Sequence, residues 1–165
     1  MSTVYLNNRV LDIAKSNNID VNMTHEIVIK YLSYCKDELF SGKVVVIPDL
    51  FRVEPDVVTS DLKSTLAYDC NLIADELGLP RHTVYTVIRG YIDDLIESIM
   101  AGDTASVRGI ANIHPYMGYN GKVAGVTTAI SATLKDNIPS DAPINSVRVY
   151  TSKFLKHRIE CEAYA

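Results

Sequence analysis

The chain has 165 residues, of which 47% are hydrophobic and 22% charged, so it can form one ordinary core or two small fused units and is too apolar for a disordered protein. The 16 Lys and Arg residues are outnumbered by 20 Asp and Glu residues, which gives a formal net charge of -4. This balance argues against a protein that coats nucleic acid by counterion release, because such proteins are strongly basic.

The first residues, the longest apolar run and the cysteines indicate where the protein is expected to be located. No basic segment leads into an apolar stretch after Met1, so we expect no secretory signal. The longest apolar run covers the five residues from Val44 to Pro48, far short of the roughly 20 that a membrane span needs. The three cysteines, Cys35, Cys70 and Cys161, follow no short spacing, and we interpret them as reduced packing residues. We therefore expect a cytoplasmic or particle-associated protein that makes no membrane contact.

The first predicted unit consists of two helices and a hairpin. Residues 8–17 form the first expected helix and residues 23–40 the second, because apolar side chains recur there every three or four positions. The stripe on the second helix contains Ile27, Val28, Tyr31, Leu32, Cys35 and Leu39. The hairpin is expected from Lys43–Ile47 and Leu50–Val53, with a turn at Pro48-Asp49.

The second predicted unit repeats this order. A helix over about 61–77 stops at Gly78, and Pro80 opens a second helix that ends at Gly102. Its apolar stripe contains Val84, Val87, Ile88, Tyr91, Ile92, Leu95, Ile96 and Ile99. The hairpin follows over Thr104–Val107 and Ile110–His114, turned at Arg108-Gly109.

The second unit continues after its hairpin. Residues 126–134 alternate between apolar and polar side chains, as expected for a strand. A turn-rich stretch over 136–143 precedes a short strand, Ser146–Tyr150, and a last helix that opens near Thr151 or Ser152.

An internal repeat relates the two units. A shift of 60 residues aligns 10–55 with 70–115 without a gap, and the apolar positions correspond throughout. The identical pairs are Ile13/Ile73, Ala14/Ala74, Tyr31/Tyr91, Gly42/Gly102 and Pro55/Pro115. Chance matching of amphipathic helices would explain the helical stretch, but not the shared glycine and proline that flank the hairpin. We therefore predict a duplication, with a truncated unit over 1–58 and a fuller one over 59–165.

The order of elements resembles the HU/IHF family of bacterial histone-like DNA-bending proteins. The residues that carry the resemblance are Leu77-Gly78-Leu79-Pro80, the stripe from Val84 to Ile99, Ala101-Gly102-Asp103, Val107-Arg108-Gly109-Ile110 and the closing run from Val147 to Leu155. The resemblance covers about 95 residues of the second unit and about 45 of the first. It implies an α+β fold of two tandem HU/IHF-like units, the second with an arm, a final strand and a C-terminal helix.

The family's DNA-binding function fits this chain less well than its fold. The resemblance implies two β-arms that reach around DNA and wedge proline into the minor groove. In this chain the arm region, 116–125, has Lys122 as its one cation and no proline, and the first unit has no arm. Tyr116 and Tyr119 lie on this glycine-rich stretch, which we interpret as a surface for contacts with a protein partner.

A basic C-terminal segment keeps the DNA interpretation open. Residues 146–159 contain no acid, and in the family cations on the last strand and helix touch the phosphate backbone. The candidate nucleic-acid residues are Lys122, Lys135, Arg148, Lys153, Lys156 and Arg158. The alternative is a solvated helix face whose cations suit the helix dipole.

Catalytic patterns are missing from the sequence. No phosphate-binding glycine loop occurs, and the four histidines have no partner at metal-ligand spacing. Cys161 has no evident base nearby, so it is a poor candidate for a nucleophile. We predict no catalytic residue, no metal and no cofactor.

These observations favour three functions to different degrees. The favoured one is a non-enzymatic structural or assembly protein that contacts other protein subunits, either its own copies or virion proteins. Divergent HU-like proteins are common in bacteriophages, so the resemblance implies a virion component, for instance at the neck or tail. The alternative is an architectural protein that binds or bends double-stranded DNA without sequence specificity. A regulatory small-molecule or enzymatic role has no visible site.

Overall fold

The computed structural model describes residues 5–164, which form an α+β fold with two three-stranded antiparallel sheets. In chain order the elements are α1 (Leu6–Asn17), α2 (Val21–Phe40), β1 (Val45–Ile47), β2 (Phe51–Pro55), α3 (Leu66–Leu77), α4 (Arg81–Met100), β3 (Ala105–Val107), β4 (Ala111–Met117), β5 (Val123–Ile130), α5 (Ala132–Asp136), β6 (Val147–Thr151) and α6 (Lys153–Ala163). None of the helices in this range has the length and apolar content that a membrane crossing requires.

The internal repeat is visible in the backbone. Helices α1 and α3, helices α2 and α4, and strands β1 and β3 each begin and end 60 residues apart. Left-handed backbone recurs at the same offset, in the pairs Asn18/Gly78, Gly42/Gly102 and Asp49/Gly109. Asn and Asp tolerate this conformation better than most residues, so the first repeat keeps the turns without glycine at two of the three positions. The helices predicted over 24–40 and 84–100 are both present.

The two repeats share one helical core. Helix α1 packs against α2 and α4, and α3 packs reciprocally against α4 and α2. The predicted stripes of α2 and α4 face this core; Ile27, Tyr31 and Ile92, for example, are at most 1% exposed. Because each first helix lies against the other repeat's second helix, neither repeat buries its apolar stripe alone.

The strand order differs from the expectation for the closing strand. We expected this strand to continue the second unit, but β6 pairs with β2 of the first repeat, with Phe51 opposite Thr151 and Val53 opposite Val149. The sheets are therefore β1-β2-β6 and β3-β4-β5. Strand β5 lies beside β4, and among the strands within residues 5–164 it is β6 that covers the equivalent edge of β2.

A second, shorter repeat explains why β6 pairs with the first repeat. Strands β5 and β6 occupy equivalent places, because Pro115 pairs with Val126 and Pro55 pairs with Val147. At the resulting offset of 21 residues, 126–135 aligns with 147–156. The identical pairs are Val126/Val147, Ser131/Ser152, Leu134/Leu155 and Lys135/Lys156. The first repeat is thus completed by the C-terminal strand and helix of the same chain.

Two predicted element bounds are wrong, for local reasons. The strand expected over 126–134 ends at Ile130, because α5 begins after Ser131 and buries Leu134 in a helical turn. The helix expected from Asp61 begins only at Leu66, where the Thr65 side chain accepts a hydrogen bond from the backbone of Tyr68.

Candidate functional site

The arm region forms a short hairpin. Strands β4 and β5 pair as far as Met117 opposite Val123, and Gly118 donates its N–H to the carbonyl of Lys122 to close the turn. Tyr116 therefore lies in a strand rather than in a loop, whereas Tyr119 lies in the turn as expected. Tyr119 is fully exposed, and the side chains of Tyr116 and Met117 are about half exposed. The tip thus presents apolar and aromatic surface to solvent.

Gly125 positions one of these aromatic rings. It lies opposite Tyr116 in the hairpin, and a β-carbon at this position would overlap the Tyr116 ring. The absence of a side chain at residue 125 lets the ring lie across the neighbouring strand, where it covers the backbone of the hairpin.

The hairpin is held against the C-terminal helix. Helix α6 packs on β5, and Asn120 Nδ2 donates to the carbonyl oxygen of Ala163 at 2.6 Å. A cleft of about 190 Å³ between the two elements is lined by Tyr116, Lys156 and Glu160, among others. The hairpin therefore lies along α6 of the same chain. This packing brings the predicted residues Tyr116 and Lys156 into one cleft.

The six predicted nucleic-acid residues lie on different elements. Lys122 is in the hairpin turn, Lys135 on α5 and Arg148 on β6, and the remaining three are on α6. Arg158 is engaged in ion pairs with Glu97 at 2.8 Å and with Glu162 at 3.2 Å. The Glu97 carboxylate raises the pKa of the Arg158 guanidinium through its hydrogen bond. This partly exposed cation is therefore paired with two carboxylates of its own chain.

The outer face of the β1-β2-β6 sheet carries a denser group of cations. Arg52 on β2 lies opposite Tyr150 on β6, and its guanidinium carbon is 4.8 Å from the centre of the Tyr150 ring. Exposed Arg148 projects from the same strand as Tyr150, two residues away. Lys63 and Lys153 line a groove of about 260 Å³ beside them. We name this surface, defined by Arg52, Lys63, Arg148, Tyr150 and Lys153, the Arg52 face.

Acidic groups at the edge of the Arg52 face have partners of their own. Glu54 pairs with Arg52 at 2.8 Å, and Asp49 pairs with Arg89 of α4 at 2.7 Å. The Asp56 carboxylate accepts from the backbone N–H groups of Asn145 and Ser146, and the bond from Asn145 contributes most to lowering its pKa. Glu54 also lies opposite Arg148 in the strand pairing, and Glu54 and Asp56 line one cleft with it. Lys63 and Lys153 add exposed cations to the neighbouring groove.

The equivalent face of the other sheet is neutral. The positions equivalent to Arg52, Arg148 and Tyr150 hold Asn112, Thr127 and Ala129. The two repeats therefore have similar backbones, but the exposed faces of their sheets differ in charge and in aromatic side chains.

Sequence reasoning missed Arg52, Lys63 and Tyr150. Arg52 is an exposed residue of β2, and the pairing of β2 with β6 brings it onto Tyr150. Tyr150 is close to Arg148 and Lys153 in the sequence, but only knowledge of the strand pairing would have joined Arg52 to them.

Cys161 has a neighbour that was also overlooked. Its sulfur lies 3.5 Å from Nε2 of His157, four residues earlier on α6. The expectation that Cys161 has no base nearby is therefore wrong, and the spacing of four on a predicted helix was the signal. Both side chains are exposed on the helix surface.

Comparison with known proteins adds no relative. No protein-family model matches the chain, and no curated protein matches it in sequence. The functional inference depends on the surfaces described above.

Proposed function

We propose that this chain is a non-enzymatic structural protein that uses a tandem HU/IHF-like fold for protein–protein contacts, for instance as a bacteriophage virion component at the neck or tail. The observation that carries the proposal is the hairpin tip, which is tied to α6 through Asn120 and exposes Met117 and Tyr119. In the HU/IHF family the arms reach around DNA. A hairpin that lies along its own C-terminal helix favours a flat contact with another protein.

The charge of the arm supports the same function. Between Asn112 and Val147, Lys122 and Lys135 are balanced by Asp136 and Asp141. Tyrosine and methionine are enriched in protein interfaces, where charged residues are depleted from the core of the contact. The hairpin tip has this composition.

Site-specific photo-crosslinking tests this proposal. A benzophenone amino acid replaces Tyr119 in cells that make the protein natively, and replaces Tyr85 in a control. Tyr85 is also well exposed, at 47%, but lies on α4. We expect discrete adducts of higher mass from position 119 only, which mass spectrometry identifies as protein. Identical patterns from both positions, or no adduct from position 119, would contradict the proposal.

A second candidate function is DNA binding or bending without sequence specificity. The Arg52 face favours it, because exposed cations there surround an aromatic ring on one sheet. Cations neutralise phosphates and release counterions, so the affinity would be modest and steeply dependent on salt.

Fluorescence anisotropy with a short labelled duplex tests this second candidate. Near 20 mM salt, where the screening length is on the order of 20 Å or more, the wild type is expected to bind. Replacing Arg148 and Lys153 with Ala should lower the slope of log K against log salt by about two units. Replacing Lys122 and Lys135 should change it little, and exposed Lys15 on α1 provides the single-charge control. A wild type that does not bind near 20 mM salt would eliminate this candidate and leave the assembly function.

A further inference from the structure

Two carboxyl groups meet in the junction between the repeats. Asp69 lies in the first turn of α3 and is 1% exposed. Glu38 lies in the last turn of α2, and both of its carboxyl oxygens are buried. Helices α2 and α3 pack together, and the Glu38 carboxyl group lies close enough to Asp69 to raise the pKa of Asp69 through its hydrogen bond and its charge. The contact thus joins the end of the first repeat's long helix to the start of the second repeat's first helix.

The protein supplies few hydrogen-bond donors to these groups. Ser64 Oγ donates to Asp69 Oδ2 at 3.1 Å. Asp69 Oδ1 and both Glu38 oxygens have no donor among the described residues. Two ionised carboxylates in contact inside a protein repel each other strongly. A proton on one of the two groups removes this repulsion and supplies the missing donor.

The surroundings offset a second negative charge only in part, through the hydrogen bond from Ser64 and the charge of Lys43. The titratable side chains that face the pair are Tyr31, Tyr34 and Cys35 on α2, Cys70 on α3 and Lys43 between α2 and β1. Burial raises the pKa of the Cys70 thiol to about 11 and holds the pKa values of Tyr31 and Cys35 well above their ordinary range. The Lys43 ammonium lies over the Tyr68 ring, 5.9 Å from its centre, and forms no ion pair with either acid within residues 5–164.

The equivalent junction contains no acid pair. At the offset of 60 residues, Asp69 corresponds to Arg9 and Glu38 corresponds to Ser98. Arg9 Nη1 donates to Ser98 Oγ at 2.8 Å and to the Asp94 carboxylate at 2.6 Å. Because the fold forms this contact with a permanent cation in one junction, it does not require two carboxyl groups in the other. The acid pair is a particular property of the α2–α3 junction.

We propose that Glu38 and Asp69 share one proton and form a pH-sensitive latch between the two repeats. The proton holds the start of α3 against the end of α2. Ser64 extends the latch to the connecting segment, because its N–H also donates to the carbonyl oxygen of Val44 beside β1. Loss of the proton leaves two buried negative charges in contact and loosens α3 and this segment.

The direction of the pH dependence follows from linkage. Burial, together with the hydrogen bond and charge of Glu38, raises the pKa of Asp69 from 3.8 to about 8. Between these values the folded protein binds a proton that the unfolded chain does not bind. The stabilisation is complete below the lower value and is lost as the pH rises through the upper one. Within this window, each increase of one pH unit raises the equilibrium constant for unfolding about tenfold, because unfolding releases one proton.

Urea unfolding from about pH 5 to about pH 9, followed by circular dichroism, tests the latch. The variants are Asp69→Asn and Glu38→Gln, in which an amide replaces the shared proton with permanent donors. Asp75→Asn is the control, because it removes the same charge at an exposed position of α3. We expect the wild type and Asp75→Asn to lose stability with rising pH, and the two junction variants to lose much less. The groups that are not substituted are the same in all four proteins, so their contribution cancels in the comparison.

Equal pH dependence in all four proteins would overturn the proposal. If a junction variant does not fold, carboxyl carbon NMR of the wild type decides instead. The carboxyl signals of the pair are expected to report release of the shared proton near pH 8, whereas release of the last proton below about pH 5 would show that no proton is shared. These readouts involve no partner, so their outcome does not depend on the proposed function.

Discussion

Ser152 donates its backbone N–H to the carbonyl oxygen of Leu50 at 3.0 Å, and its hydroxyl donates to the carbonyl oxygen of Asp49 at 2.7 Å. These bonds fasten the start of α6 to the hairpin turn of the first repeat. Ser131 makes the same backbone bond to Ile110 in the second repeat, at 2.9 Å. The second repeat is therefore inserted into the first, between β2 and β6.

Closure of the first repeat by the C-terminal segment predicts a large effect of Leu155→Ala. Leu155 is 0% exposed on α6, so the truncation leaves a cavity and should lower the free energy of unfolding by about 2–4 kcal/mol. Urea unfolding followed by circular dichroism measures the loss. Phe154→Ala is the control, because the neighbouring ring is 51% exposed and its removal should cost less than about 1 kcal/mol. Equal losses would show that α6 does not belong to the core.

The shared helical core predicts that Ile92→Asp prevents folding. Ile92 is 0% exposed on α4, and an unpaired carboxylate in a core costs several kcal/mol, which is comparable to the whole stability of a small domain. We expect loss of cooperative thermal melting in both repeats, since they share this core. Tyr85→Asp introduces the same charge at an exposed position of the same helix and should melt close to the wild type. An unchanged melting curve for Ile92→Asp would contradict the packing.

Because Arg9 of α1 is buried, we expect removal of its partner to destabilise the protein more than removal of Arg9 itself. Arg9 is 1% exposed, whereas the Asp94 side chain, its ion-pair partner, is 32% exposed. Asp94→Asn leaves a buried guanidinium without its counter-charge and should cost about 3–5 kcal/mol. Arg9→Met leaves a carboxylate that water can reach, so the loss should be smaller, about 1–3 kcal/mol. Denaturant unfolding of both variants measures the difference, and the opposite order would show that the pair is solvated on both sides.

Two left-handed glycines predict different costs for the same substitution. Gly42 has a φ of +96°, and a β-carbon there would overlap the side chain of Thr59. Gly78 has a φ of +66° with no atom within 4 Å of such a carbon. Both alanine variants incur the left-handed strain of about 1–2 kcal/mol, but Gly42→Ala must also displace Thr59. Thermal melting should therefore fall further for Gly42→Ala, and equal shifts would show that Thr59 yields without cost.

Local elements could be predicted because their causes are local. The three-to-four spacing of apolar residues identifies α2 and α4, and the glycines at 78 and 102 mark helix ends where left-handed backbone is found. The repeat was detectable for the same reason, since equivalent turns need equivalent residues. Of the candidate site, the exposed tyrosine at 119 and the exposed cations Arg148 and Lys153 were also identified from the sequence.

The pairing of the last strand could not be predicted in this way. Strand β6 has an alternating pattern that suits either sheet, and chain order alone favours the nearer second repeat. The similarity of 126–135 to 147–156 indicates that β5 and β6 occupy equivalent places in the two sheets. Four identities in ten residues are too few to establish this without the strand register. The cluster of Arg52 with Tyr150 depends on this strand pairing, and the approach of Glu38 to Asp69 depends on the packing of α2 against α3.

By itself, the sequence determined the helices, the hairpins and their duplication, because dihedral preferences and apolar periodicity act over a few residues. Only the tertiary structure decided which sheet receives β6, how the arm lies along α6 and which charges meet between the repeats. These choices depend on contacts between residues far apart in the chain. The free energy of these contacts comes from the burial of a shared apolar core and from attraction or repulsion between charges. No local pattern in the sequence identifies which distant residue each one contacts.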